Sequence, residues 1–302
     1  MLQHRIVLGI LFSVGFFLLM WLDAFPSVNG YVFACLIFVA GLTTVNELVG
    51  LLRDGKLSVS AKTIHIGTVV MLLSSPLARF LFGPPDVVFS AWFAPAIGFA
   101  ASLLVVFCIE IGRYKEPAEV IARLATTVFA IGYVGWTFTF GMQLRWLGFE
   151  HQADGSCGIA ALISLVLVVK LSDIGAYTVG RIAGRHKMAP RVSPGKTIEG
   201  GLGAVAAAIL GAWISLVWLT PLVTSVEDWE VPWWLWVSFG VIVGLAGMIG
   251  DLAESLLKRS TGRKDSSTWM PGFGGVFDLF DSLMLAAPVV YLFWVAALSN
   301  LP

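Results

Sequence analysis

Three aspartates near the C-terminal end of the sequence have the type and spacing of a metal site. Asp251, Ser255 and Lys258 share one face of a predicted helix, and Asp278 and Asp281 share one face where the next begins. Converging carboxylates repel one another unless a cation lies between them. Oxygen ligands without a Cys or His cluster favour Mg²⁺. The sequence therefore predicts that the three aspartates form a Mg²⁺ site.

A glycine run, Gly272, Gly274 and Gly275, lies just before Asp278 and permits a close approach of the backbone to a ligand. In the structural alternative, these glycines form a tight turn and the aspartates cap helices. Ionisable residues at membrane depth are costly and usually functional, which favours a site.

The segment 191–200 forms a second cluster of polar residues. Its Gly195-Lys196-Thr197 sequence resembles part of a P-loop, but that motif needs glycine where Pro190 stands and a preceding strand, which the sequence does not indicate. A helix N-terminus with hydroxyl groups and a lysine is a generic phosphate-binding arrangement. A capping segment whose basic residues only set membrane topology fits equally well. The candidates here are Ser193, Lys196, Thr197 and Glu199.

A third cluster lies late in one apolar segment, where Lys170, Asp173 and Tyr177 share a helical face. Charged groups at this depth usually line a cavity. The alternative is that Lys170 and Asp173 neutralise each other for packing.

The composition shows which elements must position these residues. The 302 residues are 58% hydrophobic and 13% charged, with a mean hydropathy of +0.87, which excludes a water-soluble chain. Lys and Arg (19) balance Asp and Glu (19), so no basic surface for nucleic acid is expected. Three dispersed cysteines exclude a disulfide framework.

We predict an all-α, polytopic membrane protein with about nine transmembrane helices. Residues 1–150 form a region of generic spans, and residues 151–302 form the catalytic region, which holds nearly all the unusual polar residues. The predicted spans are 5–22, 31–52, 64–82, 87–109, 122–142, 157–180, 200–220, 233–255 and 282–299.

The distribution of Lys and Arg over the loops predicts the orientation. With the N-terminus inside, 16 of the 19 lie in inner segments, and only Arg79 and Arg145 lie in outer ones. All three clusters then lie near the cytoplasmic face, with the C-terminus outside. The simplest expected location is the inner membrane of a bacterial cell.

These clusters resemble the signature of phosphatidate cytidylyltransferases (CDP-diacylglycerol synthases), strongly over about residues 165–290 and only in character before that. The family usually has His where Phe273 stands, Arg where Leu279 stands and Leu, Ile or Phe where Met270 stands. The matching segments are Asp173-x2-Ala176-Tyr177, Ser193-Pro194-x-Lys196-Thr197-x-Glu199-Gly200, Gly250-Asp251-Leu252-x-Glu254-Ser255 and Ser255-x-Leu257-Lys258-Arg259-x4-Lys264-Asp265-x-Ser267-x2-Met270-Pro271-x-Phe273-Gly274-Gly275-Val276-x-Asp278-Leu279-Phe280-Asp281.

The resemblance implies a nucleotidyltransferase that makes CDP-diacylglycerol and pyrophosphate from CTP and phosphatidic acid at the membrane. It implies Mg²⁺ on Asp251, Asp278 and Asp281, with a second cation bridging the phosphates as an option. Lys196, Lys258, Arg259 and Lys264 are expected to bind phosphate oxygens, and Ser193 and Thr197 to donate hydrogen bonds. Asp173, Glu199, Ser255 and Asp265 complete the expected polar cavity.

Two alternatives stay open at this point. One is a related CTP-dependent transferase acting on an isoprenoid or ether lipid phosphate, and the other is a membrane transporter, which usually places its charges near the midplane. A CDP-alcohol phosphatidyltransferase is disfavoured, because its Asp-Gly-x2-Ala-Arg motif is missing. Small residues in the segment 240–244 would also suit a homodimer contact.

The charge asymmetry generates a test of topology. Reporter fusions at Pro302 and in the loop after Lys258 should report opposite sides of the membrane. The same side at both positions would contradict the predicted orientation and the shared cytoplasmic site.

Overall fold

The computed structural model of the protein describes residues 31–82, 89–114, 119–148, 155–224, 229–267 and 274–298, with single positions between 15 and 30. Among these residues, eight helices are long and apolar enough to cross a membrane. They are α1 (Tyr31–Asp54), α2 (Ala61–Phe82), α3 (Phe89–Arg113), α4 (Val120–Arg145), α5 (Ser156–Ala183), α6 (Ile198–Val223), α7 (Trp233–Ser260) and α8 (Val276–Leu298).

These helices confirm the predicted polytopic helical fold and correspond to the second to ninth predicted spans. The first predicted span, 5–22, lies almost entirely outside the described residues. Helix α8 begins at Val276, six residues before the predicted start at 282. Hydropathy finds the apolar part of a helix, whereas capping groups fix its first residue. Asp278 and Asp281 therefore lie in the first two turns of α8.

A short antiparallel hairpin joins α5 to α6. Strand β1 (Lys187–Ala189) pairs with β2 (Ser193–Thr197), with Lys187 opposite Thr197 and Ala189 opposite Ser193. The sequence-based expectation that no strand precedes the Gly195-Lys196-Thr197 segment was wrong. The strands are short, and β2 contains proline and glycine, so no alternating pattern marks them. Pro190 still excludes the P-loop.

The chain packs as two compact units. The first contains Met1–Gln143 and Leu257–Leu279, and the second contains Leu144–Leu256 and Phe280–Pro302. Helices α7 and α8 therefore each contribute residues to both units. The division that the sequence suggested at residue 150 stays a prediction.

In the first unit, Met71, Val106 and Ile131 form a buried apolar cluster, flanked by Phe99 and Trp136. These residues come from α2, α3 and α4, which pack through close contacts at small residues. A Cβ added to Gly135 would lie 2.8 Å from Cγ of Met71. Helix α4 also contains a π-helical segment, Ile131–Trp136, at this contact.

In the second unit, α5 and α6 pack so closely that Gly175 and Gly203 leave no room for a larger side chain. A Cβ at Gly175 would lie 2.5 Å from Cβ of Ala207, and a Cβ at Gly203 would lie 2.5 Å from Cβ of Val179. Small residues at helix contacts are the usual means of close packing in membranes. This contact fixes the two helices that flank the hairpin.

Replacing Gly175 with Ala should lower the melting temperature of the purified protein, because overpacking a tight contact costs about 1–3 kcal/mol. The control is Gly141→Ala in α4, where nothing lies within 4 Å of an added Cβ. Thermal unfolding in detergent, followed by size-exclusion fluorescence, measures both. A Gly175→Ala melting temperature equal to that of the control would contradict the close packing.

Candidate functional site

A cavity of about 450 Å³ lies in the second unit, between α5, the hairpin, α6 and α7. This volume is typical of small-molecule sites. Predicted residues from all three sequence clusters line it, so the fold brings the clusters together. Its charged and hydroxyl lining residues are Ser172, Asp173, Tyr177, Arg181, Ser193, Lys196, Thr197 and Asp251.

Thr197 fixes the beginning of α6 beside the cavity. It is the N-cap residue, and its hydroxyl oxygen accepts a hydrogen bond from the Gly200 backbone N–H at 3.1 Å. Its side chain is almost fully buried, at 6% exposed. The capping interpretation of this segment is therefore confirmed for Thr197. Its predicted role as a hydrogen-bond donor to substrate stays a prediction.

Glu199, in the first turn of α6, forms hydrogen bonds with the segment between the end of α5 and the hairpin. Its carboxylate accepts hydrogen bonds from the backbone N–H groups of Arg185 (3.0 Å) and His186 (3.2 Å), and Nδ1 of His186 lies 2.6 Å from Oε1. Ile198 N–H also donates to the His186 carbonyl oxygen. These contacts hold the cavity wall that carries Ser193 and Lys196.

Two ion pairs join the polar residues around this cavity. Nζ of Lys196 lies 2.7 Å from Oδ2 of Asp251, and both side chains are partly exposed. Nζ of Lys170 lies 3.4 Å from Oδ2 of Asp173, as the sequence spacing predicted. The Lys196–Asp251 pair joins the β2 strand to α7, and no local spacing indicates it because 55 residues separate the partners.

Arg181 is a lining residue that the sequence analysis used only as a topology signal. Its Nη1 donates to the Tyr177 hydroxyl at 2.8 Å, one helical turn earlier on α5. The i, i+4 spacing from Tyr177 was the available signal. A guanidinium at a cavity wall is suited to phosphate or carboxylate groups.

Three carboxylates meet where α7 and α8 approach each other in the second unit. Oxygen atoms of Asp251, Glu254 and Asp281 all lie within 4.8 Å of one another. The approach depends on Gly250, since a Cβ there would lie 2.5 Å from the Asp281 carbonyl oxygen. Ser255 is adjacent, with Oγ 3.5 Å from Oδ1 of Asp251. An all-oxygen donor set of this kind fits Mg²⁺.

Glu254 is the member of this group that the sequence analysis did not assign. It is 1% exposed and lies three residues after Asp251, on the same face of α7. That spacing was the signal that could have identified it. Two of the three predicted metal ligands, Asp251 and Asp281, are thus brought together with Glu254.

Asp278, the third predicted ligand, lies in the first unit. Its Oδ1 accepts from Nζ of Lys258 at 2.7 Å. Its Oδ2 accepts from the backbone N–H groups of Gly275 (2.8 Å) and Ser266 (3.1 Å), and from the Ser266 hydroxyl. Gly274, at φ 84°, makes the turn before it. The turn-and-cap interpretation holds for these residues, and Asp278 as a metal ligand stays a prediction.

The remaining predicted residues lie in the first unit or outside the described chain. Arg259, Lys264 and Asp265 are exposed at the end of α7 and just after it, and their phosphate-binding and cavity roles stay predictions. Leu279 is partly buried in α8. Phe273 lies outside the described residues, as do Met270 and Gly272.

Known proteins of one family match most of this chain. The model of the cytidylyltransferase family matches residues 3–297. A phosphatidate cytidylyltransferase of Synechocystis is 28% identical over 294 residues, covering 89% of this chain and 90% of the relative. Enzymes of the same name from Staphylococcus saprophyticus and Brucella suis are 34% and 40% identical over 166 and 142 residues. These two matches cover 55% and 47% of this chain and about half of each relative, 57% and 49%.

The acidic group generates a binding test. Glu254→Gln should weaken Mn²⁺ binding, measured by electron paramagnetic resonance titration, about tenfold to a hundredfold, because one anionic ligand is lost. The control is Asp54→Asn, which removes a partly exposed carboxylate paired with Arg263 in the first unit. Equal Mn²⁺ affinity in Glu254→Gln and the control would exclude Glu254 as a ligand.

Proposed function

Since this chain belongs to the cytidylyltransferase family, we propose that it transfers CMP from CTP to phosphatidic acid, giving CDP-diacylglycerol and pyrophosphate. The names of the relatives support this substrate pair. The observation that carries the proposal is the cavity lined by Lys196, Arg181, Ser193 and Asp251, of which Asp251 is also a member of the acidic group. Cations, a hydroxyl and a carboxylate in one cavity suit a metal-bound triphosphate.

The reaction needs no covalent enzyme intermediate. A phosphate oxygen of phosphatidic acid attacks the α-phosphorus of CTP, the bond from that phosphorus to the α–β bridging oxygen breaks, and pyrophosphate leaves. The lipid phosphate is already an anionic nucleophile near neutral pH. The protein therefore contributes alignment of the two phosphates and stabilisation of the charge that develops on the leaving group.

Asp251, Glu254 and Asp281 are the residues that would hold Mg²⁺ in this proposal. Their oxygens lie within 4.8 Å of one another, so small side-chain rotations would bring all three to the distance of about 2 Å at which Mg²⁺ ligands lie from the metal. A bound Mg²⁺ supplies neutralisation of phosphate charge while it keeps open coordination positions. A second cation on the phosphates, and Asp278 as a further ligand, belong to the same proposal.

Lys196 is proposed to bind the triphosphate. It lies in the cavity wall, and its ammonium group pairs with the Asp251 carboxylate. When substrate and metal bind, Lys196 would pair with a phosphate group and Asp251 with the cation. Ser193 and Arg181 line the same cavity and add donors for phosphate oxygens. Lys258, which is paired with Asp278 in the first unit, is proposed to bind phosphate, as the family resemblance implies.

The membrane supplies the second substrate. The protein is a multi-pass membrane protein, and the Lys and Arg distribution supports a cytoplasmic site, where CTP is available. We propose that this membrane is the inner membrane of a bacterial cell. The small residues Gly240 and Gly244, which suited a homodimer contact in the sequence, are buried against α6 within the chain, so the proposed homodimer does not use them. The family match disfavours the transporter alternative.

Purified protein in detergent with phosphatidic acid and α-labelled CTP should form labelled CDP-diacylglycerol. Asp251→Asn and Asp281→Asn should each lower kcat about tenfold to a hundredfold or more and raise the Mg²⁺ requirement. Lys196→Met should raise KM for CTP, because a phosphate contact is lost.

Glu119→Gln is the control, since its carboxylate is exposed and lies 3.9 Å from Arg123 in the first unit. An isoprenoid phosphate and an ether-linked phosphatidate serve as competing acceptors. Labelling of the isoprenoid phosphate alone, or full activity in Asp251→Asn at ordinary Mg²⁺, would overturn the proposal.

A further inference from the structure

We propose that Glu47, a carboxylate of α1, is a positioning residue that fixes the start of α8 and thereby holds Asp278 and Lys258 in place. This inference rests on the proposed function. Nothing in the sequence motifs includes Glu47, which lies more than 200 residues before Asp278. All the residues concerned belong to the first unit.

Glu47 binds the N-terminus of α8 with both carboxylate oxygens. Oε1 accepts a hydrogen bond from the backbone N–H of Val276 at 3.1 Å, and Oε2 accepts from that of Phe277 at 2.9 Å. These are the first two residues of α8, whose N–H groups have no partner within the helix. A carboxylate at this end also interacts favourably with the helix dipole. Glu47 thus caps α8 from another helix.

Burial makes this contact specific. The Glu47 side chain is 9% exposed, and burying a carboxylate is costly unless it is hydrogen-bonded. Two backbone donors, one on each carboxylate oxygen, meet that requirement, and the Ser266 hydroxyl oxygen lies 3.0 Å from Oε2. If α8 began one residue earlier or later, the side chains of its first turn would rotate by about 100° and Glu47 would face different donors.

Ser266 connects the cap to Asp278. Its hydroxyl contacts both Oε2 of Glu47 and Oδ2 of Asp278, and its backbone N–H donates to Oδ2 of Asp278. Gly275 donates its N–H to the same Asp278 oxygen. A Cβ on Gly275 would overlap both Glu47 and Ser266. The glycine that was expected to approach a ligand is thus required by this network.

The network includes Asp278 and Lys258, a residue pair of the proposed site, and it lies beside a cavity. Asp278 Oδ1 holds Nζ of Lys258 at 2.7 Å, so displacing Asp278 would displace the Lys258 ammonium. Glu47 also lines a cavity of about 470 Å³ in the first unit, together with Asn46 and Ser267. A change at Glu47 should therefore affect the catalytic step through Asp278 and Lys258, beyond any effect on folding.

The test compares Glu47→Gln with Glu110→Gln, a matched variant in the same unit. Glu110 is also buried, at 4% exposed, and is paired with Arg123 at 2.9 Å, but it has no place in the site. For folded protein isolated by size exclusion, we expect Glu47→Gln to lower kcat about tenfold to a hundredfold, as misplacement of reacting groups does, with little change in KM for CTP. Glu110→Gln should lower the melting temperature and keep the wild-type kcat.

Two further variants keep the inference testable if Glu47→Gln folds poorly. Gly275→Ala keeps every charge, but its added methyl group would push the Glu47 and Ser266 side chains away from the turn before α8. Ser266→Ala removes the hydroxyl that contacts both Glu47 and Asp278. Both should lower kcat, and the effects of Ser266→Ala and Glu47→Gln should be non-additive, because the residues act through one network.

Each result bears on a different claim. If the wild type does not convert CTP and phosphatidic acid, the proposed function fails. If the wild type is active and Glu47→Gln, Gly275→Ala and Ser266→Ala all keep its kcat while only their melting temperatures fall, Glu47 is merely structural and the inference is overturned.

Discussion

A charged side chain inside a membrane-spanning helix must be compensated, because an isolated charge at the centre of such a helix costs about 3 kcal/mol. In the described residues, three lysine–aspartate pairs meet this constraint: Lys170 with Asp173, Lys196 with Asp251, and Lys258 with Asp278. The second and third pairs join different elements, so compensation of charge also fixes which elements contact each other. The acidic group of Asp251, Glu254 and Asp281 adds negative charge beside the second pair, and a divalent cation is the compensation that we propose for it.

Several proposed site residues lie at the N-termini of α6 and α8, and a capping group fixes where each of these helices begins. Thr197 caps α6 from its own N-cap position, which places Lys196 at the cavity wall immediately before the helix. Glu47 and Asp278 cap α8 from outside and from within, and Asp278 is itself a proposed site residue. The close contacts at Gly250 and Gly275 serve the same purpose, because Gly250 lets the α8 backbone at Asp281 approach α7 and Gly275 lets the Glu47 carboxylate approach the turn before α8. Capping residues and close-packed glycines therefore determine where the charged side chains of the site lie.

Sequence reasoning succeeded where the signal is local. Apolar stretches identified eight spans, and i, i+3 spacing predicted the Lys170–Asp173 pair. It failed where the partner is distant in the chain. Glu47 binds Phe277 across 230 residues, and Glu254 joins Asp281 only because α7 and α8 meet at Gly250. The hairpin was missed for another reason, since its short strands have no alternating pattern and gain their order from Glu199.

We propose that Asp251, Glu254 and Asp281 form the cation site at which the CTP phosphates bind. Anomalous diffraction at the manganese edge, from crystals grown with Mn²⁺ and a non-hydrolysable CTP analogue, measures this directly. We expect a manganese peak about 2 Å from oxygens of all three carboxylates, with the triphosphate of the analogue in contact with the metal and with Lys196. A manganese peak and triphosphate bound elsewhere, with these three carboxylates free of metal, would contradict it.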